Sequence, residues 1–251
     1  MKPLLRTILA LAAGAGLVLL VLLITDKVPP PTTPEPLDAP GTAAKQQVSA
    51  SPRPGGVVTG LGGRYQAKPG SKVRIEGTSN VHDWQVEGKI IIGNLDLGAN
   101  FPLDPAKATP GKVDAAAAVS VPVRSMKSVK KDGTDYDAQM DKIMYEKLLE
   151  ATHKAIKFTL AELTLKEAPK AASEPFVFEA KGDLTVAGQT KSLTFPVQMT
   201  VLPEDKLKFS GTAATKMTEF GIQPPEPLGM GIKTGDEVKL IFDWVVGRKK
   251  Q

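Results

Sequence analysis

Few side chains in this sequence have the types and spacing needed for chemistry. The chain has two histidines, His82 and His153, and no cysteine, which excludes disulfides, thiolate metal ligands and a cysteine nucleophile. His82 precedes Asp83, a pair that would serve acid/base chemistry if the imidazole and the carboxylate shared one site. Because neighbours in a strand point to opposite faces, we expect structural roles for both residues in a turn or loop. His153 follows a predicted helix, where a cation interacts favourably with the helix dipole.

The other polar residues form no recognised catalytic motif. Ser79 and Ser125 have neither a glycine elbow nor a histidine placed to activate them, and spacing assigns no pair of catalytic carboxylates. The basic run from Arg124 to Lys131 has the charge to contact anionic headgroups or a pyrophosphate, but acidic residues follow from Asp132 and favour a solvated loop. We therefore predict a protein that is not an enzyme, with no metal site and no cofactor.

Composition and charge are those of an ordinary globular protein, with 41% hydrophobic and 24% charged residues among 251. The formal net charge is +5, of which Lys2 and Arg6 supply two charges. The small excess that remains argues against a nucleic-acid partner, and we predict none. The length suits one large domain with attachments, and no feature specifies an oligomeric state.

The N-terminal segment, residues 1–25, is directed to a membrane. An uncharged run from Thr7 to Thr25 follows Lys2 and Arg6 and has nearly the 20 or so residues of a transmembrane helix. A signal-peptide core is shorter, about 7–15 residues, and precedes small residues at a cleavage site, whereas Asp26 and a proline-rich stretch follow here. We predict an uncleaved single-pass signal anchor with a cytoplasmic N-terminus and the remainder in the periplasm or otherwise outside the cytoplasm. The alternative is a protein that is secreted or periplasmic after signal cleavage.

Residues 26–63 follow as a segment with many prolines and few large apolar residues. The prolines are Pro29, Pro30, Pro31, Pro34, Pro36, Pro40, Pro52 and Pro54. Proline fixes φ and favours extended polyproline II segments, so we predict a disordered but semi-rigid stalk that holds the next domain away from the bilayer.

Residues 64–251 alternate between apolar and polar side chains, which predicts β-strands with one buried face. The in-phase sets are Val73 and Ile75; Trp84, Val86, Ile90 and Ile92; Val113 to Val123; Ile156 to Leu160; Phe176 to Val186; Leu193 to Val201; Leu207 and Phe209; and Val238 to Val246. A slip in phase after Leu160 predicts a bulge. Turn residues at Ala187-Gly188-Gln189 and Pro203-Glu204-Asp205 predict antiparallel hairpins.

One segment between the strands has helical spacing instead, with apolar residues at Met140, Ile143, Met144, Leu148 and Ala151. This spacing predicts an amphipathic helix of about three turns, with Asp135 or Asp137 as its cap. Eight or so strands with one inserted helix fit an all-β sandwich or a closed barrel. Closure is favoured because it leaves no unpaired strand edge.

Two stretches of the domain carry recognisable motifs. The first is Gly77-Thr78-Ser79-Asn80-Val81-His82-Asp83-Trp84, and the second is Gly182-Asp183-Leu184-Thr185-Val186-Ala187-Gly188-Gln189-Thr190-Lys191 with Leu193 to Val197 following. In this order they resemble the YceI-like family of polyisoprenoid-binding proteins, and the resemblance extends over residues 64–246. It implies an eight-stranded, antiparallel, lipocalin-like barrel with one helix, whose apolar bore accepts the tail of an isoprenoid or similar lipid without transforming it.

From this resemblance and the predicted anchor, we expect a membrane-tethered extracytoplasmic protein that sequesters an isoprenoid or similar long-chain lipid in its barrel. The anchor favours tethered binding over diffusion between membranes. The candidate cavity-lining residues are Val119, Val121, Phe158, Phe178, Phe195, Met199, Phe209 and Phe242, each of which ordinary core packing would also explain. The alternative function is a structural or interaction protein of the cell envelope, with a barrel filled by its own side chains and no bound lipid.

Overall fold

The computed structural model describes residues 62–171, 174–226 and 231–249. The predicted anchor, residues 1–25, and the predicted stalk up to residue 61 lie outside the described residues. Within the described ranges, no helix has both the length and the hydropathy needed to cross a membrane.

The described part of the chain contains twelve strand segments and one α-helix. The strands are β1 Gly63–Ala67, β2 Lys72–Ser79, β3 Trp84–Gly88, β4 Ile92–Leu97, β5 Gly111–Val113, β6 Ala115–Pro122, β7 Met126–Val129, β8 Ala155–Glu167, β9 Phe176–Val186, β10 Gln189–Leu202, β11 Lys206–Lys216 and β12 Thr234–Arg248. Helix α1 spans Ala138–Lys147 and lies between β7 and β8. The fold is therefore all-β with one inserted helix, as the sequence predicts.

Antiparallel pairing closes the sheet into a barrel. The ring runs β1-β4-β6-β8-β9-β10-β11-β12, and β12 returns to β1 through pairs such as Tyr65 with Arg248. Strand β2 continues β1, β3 continues into β4, and β6 continues into β7, each across a break, and the segments β2, β3 and β7 pair in the order β12-β2-β3-β7. The short β5 pairs with β8, as β6 does, and belongs to the same broken strand as β6. Counting each broken strand once gives eight strands, so the predicted eight-stranded antiparallel barrel is confirmed.

Regular alternation along the strands fills the interior. In β9 the residues Phe176, Phe178, Ala180, Leu184 and Val186 are all buried, as their phase predicts. The predicted bulge is also present. The register of β8 against β9 shifts between Leu160 and Glu162, after which Leu163 and Leu165 become the buried residues of β8.

Three residues that share a predicted inward phase are exposed instead. Ile90 and Ile92 are 52% and 57% exposed, while Ile91 between them is buried. The phase changes because the strand is interrupted after Gly88, where its neighbours change from β2 and β7 to β1 and β6. Val201 is exposed as well, one residue before β10 ends at its turn.

Helix α1 covers the outer edge of β7, which pairs with β3 on its other side. The Tyr145 hydroxyl donates to the Met126 carbonyl over 2.8 Å, and the Asp141 carboxylate accepts the Ser128 N–H over 2.6 Å. Side chains of the helix thus pair backbone groups that would otherwise leave an open strand edge. Of the two predicted caps, Asp137 is the one used, since its carboxylate accepts the N–H of Gln139 at 2.7 Å. Ala151 lies beyond the end of the helix.

Candidate functional site

The two ends of the barrel interior are packed differently. One end, which we call the closed end, is filled by inward side chains that are at most 3% exposed: Tyr65, Phe101, Leu165, Phe176, Phe178, Met199, Leu207 and Val246. At the other end, which we call the open end, six of the inward side chains are only half-buried: Ile75, Ile156, Phe158, Leu193, Leu240 and Phe242. The interior is therefore solid at one end and accessible at the other.

An apolar cavity of about 170 Å³ lies in the barrel and extends toward the open end. Six of the eight predicted residues line it: Val119, Val121, Phe158, Phe195, Phe209 and Phe242. Its wall also includes residues that sequence reasoning did not select, among them Ile156, Leu240 and Trp244. Each of these belongs to an alternating set, so the pattern contained them without distinguishing them from the rest of the core.

Phe178 and Met199, the other two predicted residues, belong to the closed end. Both have no exposed surface, and the Phe178 ring stacks on Phe101 and Phe176 with centroid distances of 5.7 and 6.4 Å. Neither lies in the cavity wall. The structure therefore brings six candidates together around a cavity and places two in solid core, and contact of any of the eight with a ligand stays a prediction.

Three rings meet in the cavity: Phe158 of β8, Phe195 of β10 and Phe242 of β12. We call them the phenylalanine cluster. The Phe195 centroid lies 5.5 Å from that of Phe158 and 5.9 Å from that of Phe242. These are normal separations for favourable edge-on contacts between aromatic rings.

Two glycines on neighbouring strands make room for these rings. A Cβ atom at Gly211, which pairs directly with Phe242, would lie 2.7 Å from the Cζ atom of that ring. A Cβ atom at Gly182 would overlap the ring of Phe158 in the same way. Aromatic rings that cover a glycine on the next strand are a known means of fixing sheet register. Sequence reasoning missed both roles, although each glycine occupies an inward position in an otherwise apolar set.

Trp244 contributes its ring to the same wall, beside Phe209 at a centroid distance of 5.9 Å. Its indole N–H is buried and has no hydrogen-bond acceptor among the described residues. The wall is otherwise almost wholly apolar. Such a surface stabilises hydrocarbon by burial and offers almost nothing to a charged group.

The two histidines lie apart and share no site. His82 Nδ1 lies 2.8 Å from the Asp83 carbonyl oxygen, and its Nε2 lies 3.3 Å from the Tyr136 hydroxyl. His153 lies elsewhere, against Gly188 in the β9–β10 turn. No group of three metal-ligating side chains occurs among the described residues.

The two serines weighed as nucleophiles bond to nearby backbone. The Ser79 hydroxyl donates to the carbonyl of His82 over 2.7 Å and accepts its N–H, which shapes the β2–β3 turn. The Ser125 hydroxyl donates to the Pro122 carbonyl over 2.7 Å. Hydroxyls held in such turns have a structural role.

Part of the basic run is paired within the protein. Arg124 lies 3.0 Å from Glu150, and the Lys127 ammonium lies 2.9 Å from Asp141. Burial alone would raise the pKa of Asp141, but hydrogen bonds from Ser128 and Lys127 hold that pKa below its usual value. These pairs brace the α1 edge of β7, which leaves fewer charges of the run for an anionic headgroup.

Comparison with known proteins decides the family. The family model of the YceI-like domain matches residues 66–246. The chain belongs to the YceI-like family. Its two motifs form the β2–β3 and β9–β10 hairpins. In each, an aromatic ring covers a motif glycine, Trp84 over Gly77 and Phe158 over Gly182.

Solved structures agree with this YceI-like fold. BcnA of Burkholderia cenocepacia is 19% identical, with a TM-score of 0.52 over 70% of this chain and 95% of that one. A structure from Saccharophagus degradans, described as a polyisoprenoid binding domain implicated in plant cell wall breakdown, is 10% identical, with a TM-score of 0.51 over 74% of this chain and 98% of that one. At these identities the likeness shows the fold alone. No curated protein matches this chain.

Proposed function

We propose that this protein is a membrane-tethered, extracytoplasmic binding protein that takes the tail of an isoprenoid or similar long-chain lipid into its barrel without transforming it. The observation that carries the proposal is the cavity, because an almost wholly apolar wall at the accessible end of a closed barrel suits hydrocarbon. Membership of the YceI-like family supports it. The Saccharophagus degradans domain, described as polyisoprenoid binding, has the same fold.

The chemistry of the wall indicates how a lipid would lie. Each methylene moved from water into the cavity contributes about 0.8 kcal/mol, whereas a phosphate or other charged headgroup would lose its hydration without gaining partners. The tail therefore enters the bore, and the headgroup stays in water at the open end.

The tether and the compartment rest on the sequence of residues 1–63. A C-terminal reporter enzyme that is active only outside the cytoplasm tests the orientation, and we expect activity. Activity of a cytoplasm-only reporter would contradict it. The intact mass of the mature protein separates an uncleaved anchor, which keeps residues 1–25, from a cleaved signal peptide, which loses them.

The small size of the cavity favours a second candidate function, that of a structural or interaction protein. Typical ligand pockets have volumes of about 300–1,000 Å³, and this cavity has about 170 Å³. A barrel filled mostly by its own side chains would instead serve as a structural or interaction protein of the cell envelope.

A matched pair of variants separates the two functions. Ala117 lines the cavity, whereas Ala118 beside it on β6 is exposed on the outer face. Ala117→Phe would fill the bore, and Ala118→Phe adds the same ring outside it. We expect organic extraction and mass spectrometry of the purified full chain to release more long-tailed lipid per protein from the wild type and Ala118→Phe than from Ala117→Phe, since bilayer lipid held by the predicted anchor is common to all three. Equal recovery from all three would place the lipid outside the barrel, and no lipid in any, even after loading with prenyl lipids, would favour the interaction protein.

A further inference from the structure

The phenylalanine cluster spans the bore from one wall to the other. Strands β8 and β12 are four steps apart in a ring of eight, so Phe158 and Phe242 project from opposite walls. Phe195 of β10, midway between them, contacts both rings. The three side chains therefore form a continuous aromatic bridge across the interior.

Cavity-lining residues lie on both sides of this bridge. Ile156 and Leu240 line the cavity toward the open end, and Phe209 and Trp244 line it toward the closed end. The bridge thus narrows the bore at mid-depth. The Phe158 ring lies against Gly182, and the Phe242 ring lies against Gly211. The backbone at these glycines therefore favours the ring positions that narrow the bore.

We propose that the phenylalanine cluster sets how far a lipid tail enters the barrel, so that this protein selects by the length of the inserted chain. This inference rests on the proposed function. An engineered apolar cavity of about 150 Å³ holds benzene, so the 170 Å³ here, which includes the part beyond the rings, admits at most about six to eight carbon atoms while the rings stay in place. The rest of a longer tail remains at the open end.

The affinity of a series of primary alcohols tests the length limit in the full chain. Digitonin keeps the protein in solution, since its fused-ring body is too wide to compete for the bore. We expect calorimetric affinity to rise about fourfold per methylene and to level off at or before about eight carbon atoms. In Phe195→Ala the affinity should continue to rise for about four more carbon atoms.

Trp244 reports the depth of entry independently. The sequence has two tryptophans, and Trp84→Phe keeps an aromatic ring over Gly77 while leaving Trp244 as the one fluorophore of its kind. An alcohol brominated at its far end should quench Trp244 weakly when the cluster is intact and at least about twofold more strongly in Phe195→Ala. The control is Phe178→Leu, which loosens the closed end outside the cavity wall and should leave the length profile unchanged.

The outcomes separate the two proposals. Affinity that rises without a break to sixteen carbon atoms in the wild type, with strong quenching of Trp244, overturns the length limit and keeps the lipid-binding function. If the alcohols bind neither the wild type nor Phe195→Ala, both the length limit and the lipid-binding function are overturned. If circular dichroism shows that Phe195→Ala does not fold, Phe195→Leu and Phe242→Leu take its place, and an unchanged length limit in both overturns the role of the cluster.

Discussion

The two ends of the barrel use the same kind of side chain to opposite effect. At the closed end Phe101 and Phe176 both stack on Phe178, which has no exposed surface. At the open end Phe158 and Phe242 project from opposite walls and leave a cavity around them. Alternation along a strand therefore decides which way a ring points, but the neighbours on other strands decide whether it is packed or borders a space.

The difference has a local cause at each end. The connection between β4 and β5 carries Phe101, which is 3% exposed and packs on Phe178, so a loop residue completes the closed end. At the open end, Gly182 and Gly211 leave room for the rings of Phe158 and Phe242, which occupy the space where a Cβ atom would lie. A loop residue completes the packing of the closed end, whereas at the open end the rings lie over glycines and border a cavity.

The largest expected effect compares one ring from each end. Phe178→Ala removes a fully buried ring and should lower the free energy of unfolding by about 3–5 kcal/mol. Phe242→Ala removes a half-buried ring beside existing space, so it loses fewer contacts and should cost about 1–3 kcal/mol. Urea denaturation of both variants measures the difference. Equal costs would mean that the open end is packed as tightly as the closed end.

The polar contacts that hold α1 on β7 form the next comparison. Asp141 is 7% exposed and accepts hydrogen bonds from Ser128 and Lys127. Asp141→Ala leaves the Ser128 N–H buried without this acceptor, so we expect a loss of about 2–3 kcal/mol in the free energy of unfolding. The control is Asp96→Ala, which breaks an exposed ion pair with Arg64 and should cost less than about 1 kcal/mol. A similar loss of stability in both variants would show that the burial of Asp141 does not strengthen its contacts at the α1 edge.

The sequence predicts the ring of strands well where each strand is regular. Phe176 to Val186 and Val238 to Val246 keep one phase from end to end, so periodicity alone identifies their inward faces. It fails at Ile90 and Ile92, because the break before them arises where the strand changes neighbours. That event depends on the closed barrel, and the three consecutive isoleucines, Ile90 to Ile92, leave the phase of the strand undecided in the sequence.

The candidate site is predicted less completely, for a related reason. Phe178 and Phe158 are equivalent in an alternating pattern, and only contacts across the barrel separate the packed ring from the one at a cavity. The glycines were a usable indication, since Gly182 and Gly211 interrupt apolar sets at inward positions. Reading them together with the phenylalanines of adjacent strands would have identified the open end.

A third prediction tests whether the rings of the open end are fixed despite the space around them. Gly211→Ala places a methyl group 2.7 Å from the Phe242 ring and 2.9 Å from the Pro196 carbonyl oxygen. We expect a loss of about 1–3 kcal/mol in the free energy of unfolding. Combining it with Phe242→Leu should cost less than the sum of the two, because the smaller side chain yields to the methyl group. Strict additivity would show that Phe242 already moves freely.

Lowering the pH should weaken the α1 edge while leaving the closed end alone. The pKa of Asp141 lies below its usual value in the folded protein, so its stabilising contribution is complete above the unfolded pKa of about 3.9. That contribution is lost as the pH falls through the lower folded pKa. The stability difference between the wild type and Asp141→Asn, measured by urea denaturation, should therefore shrink between pH 5 and acidic values near the folded pKa. A difference that stays constant with pH would contradict an ionised, hydrogen-bonded Asp141.

The smallest expected effect concerns the start of α1, for which the sequence offers two candidate capping residues, Asp135 and Asp137. Asp137 accepts the Gln139 N–H, so Asp137→Ala should lower the free energy of unfolding by about 1 kcal/mol. Asp135 is exposed and joins β7 through its backbone, pairing with Val129, so Asp135→Ala should change stability by less than about 0.5 kcal/mol. Because α1 covers the β7 edge at the open end, fraying it should speed amide exchange of Ser128 in Asp137→Ala, while amides of the closed end such as Phe178 keep their protection. Faster exchange at both ends would mean that the two unfold as one unit, and the contrast between them would then be one of packing alone.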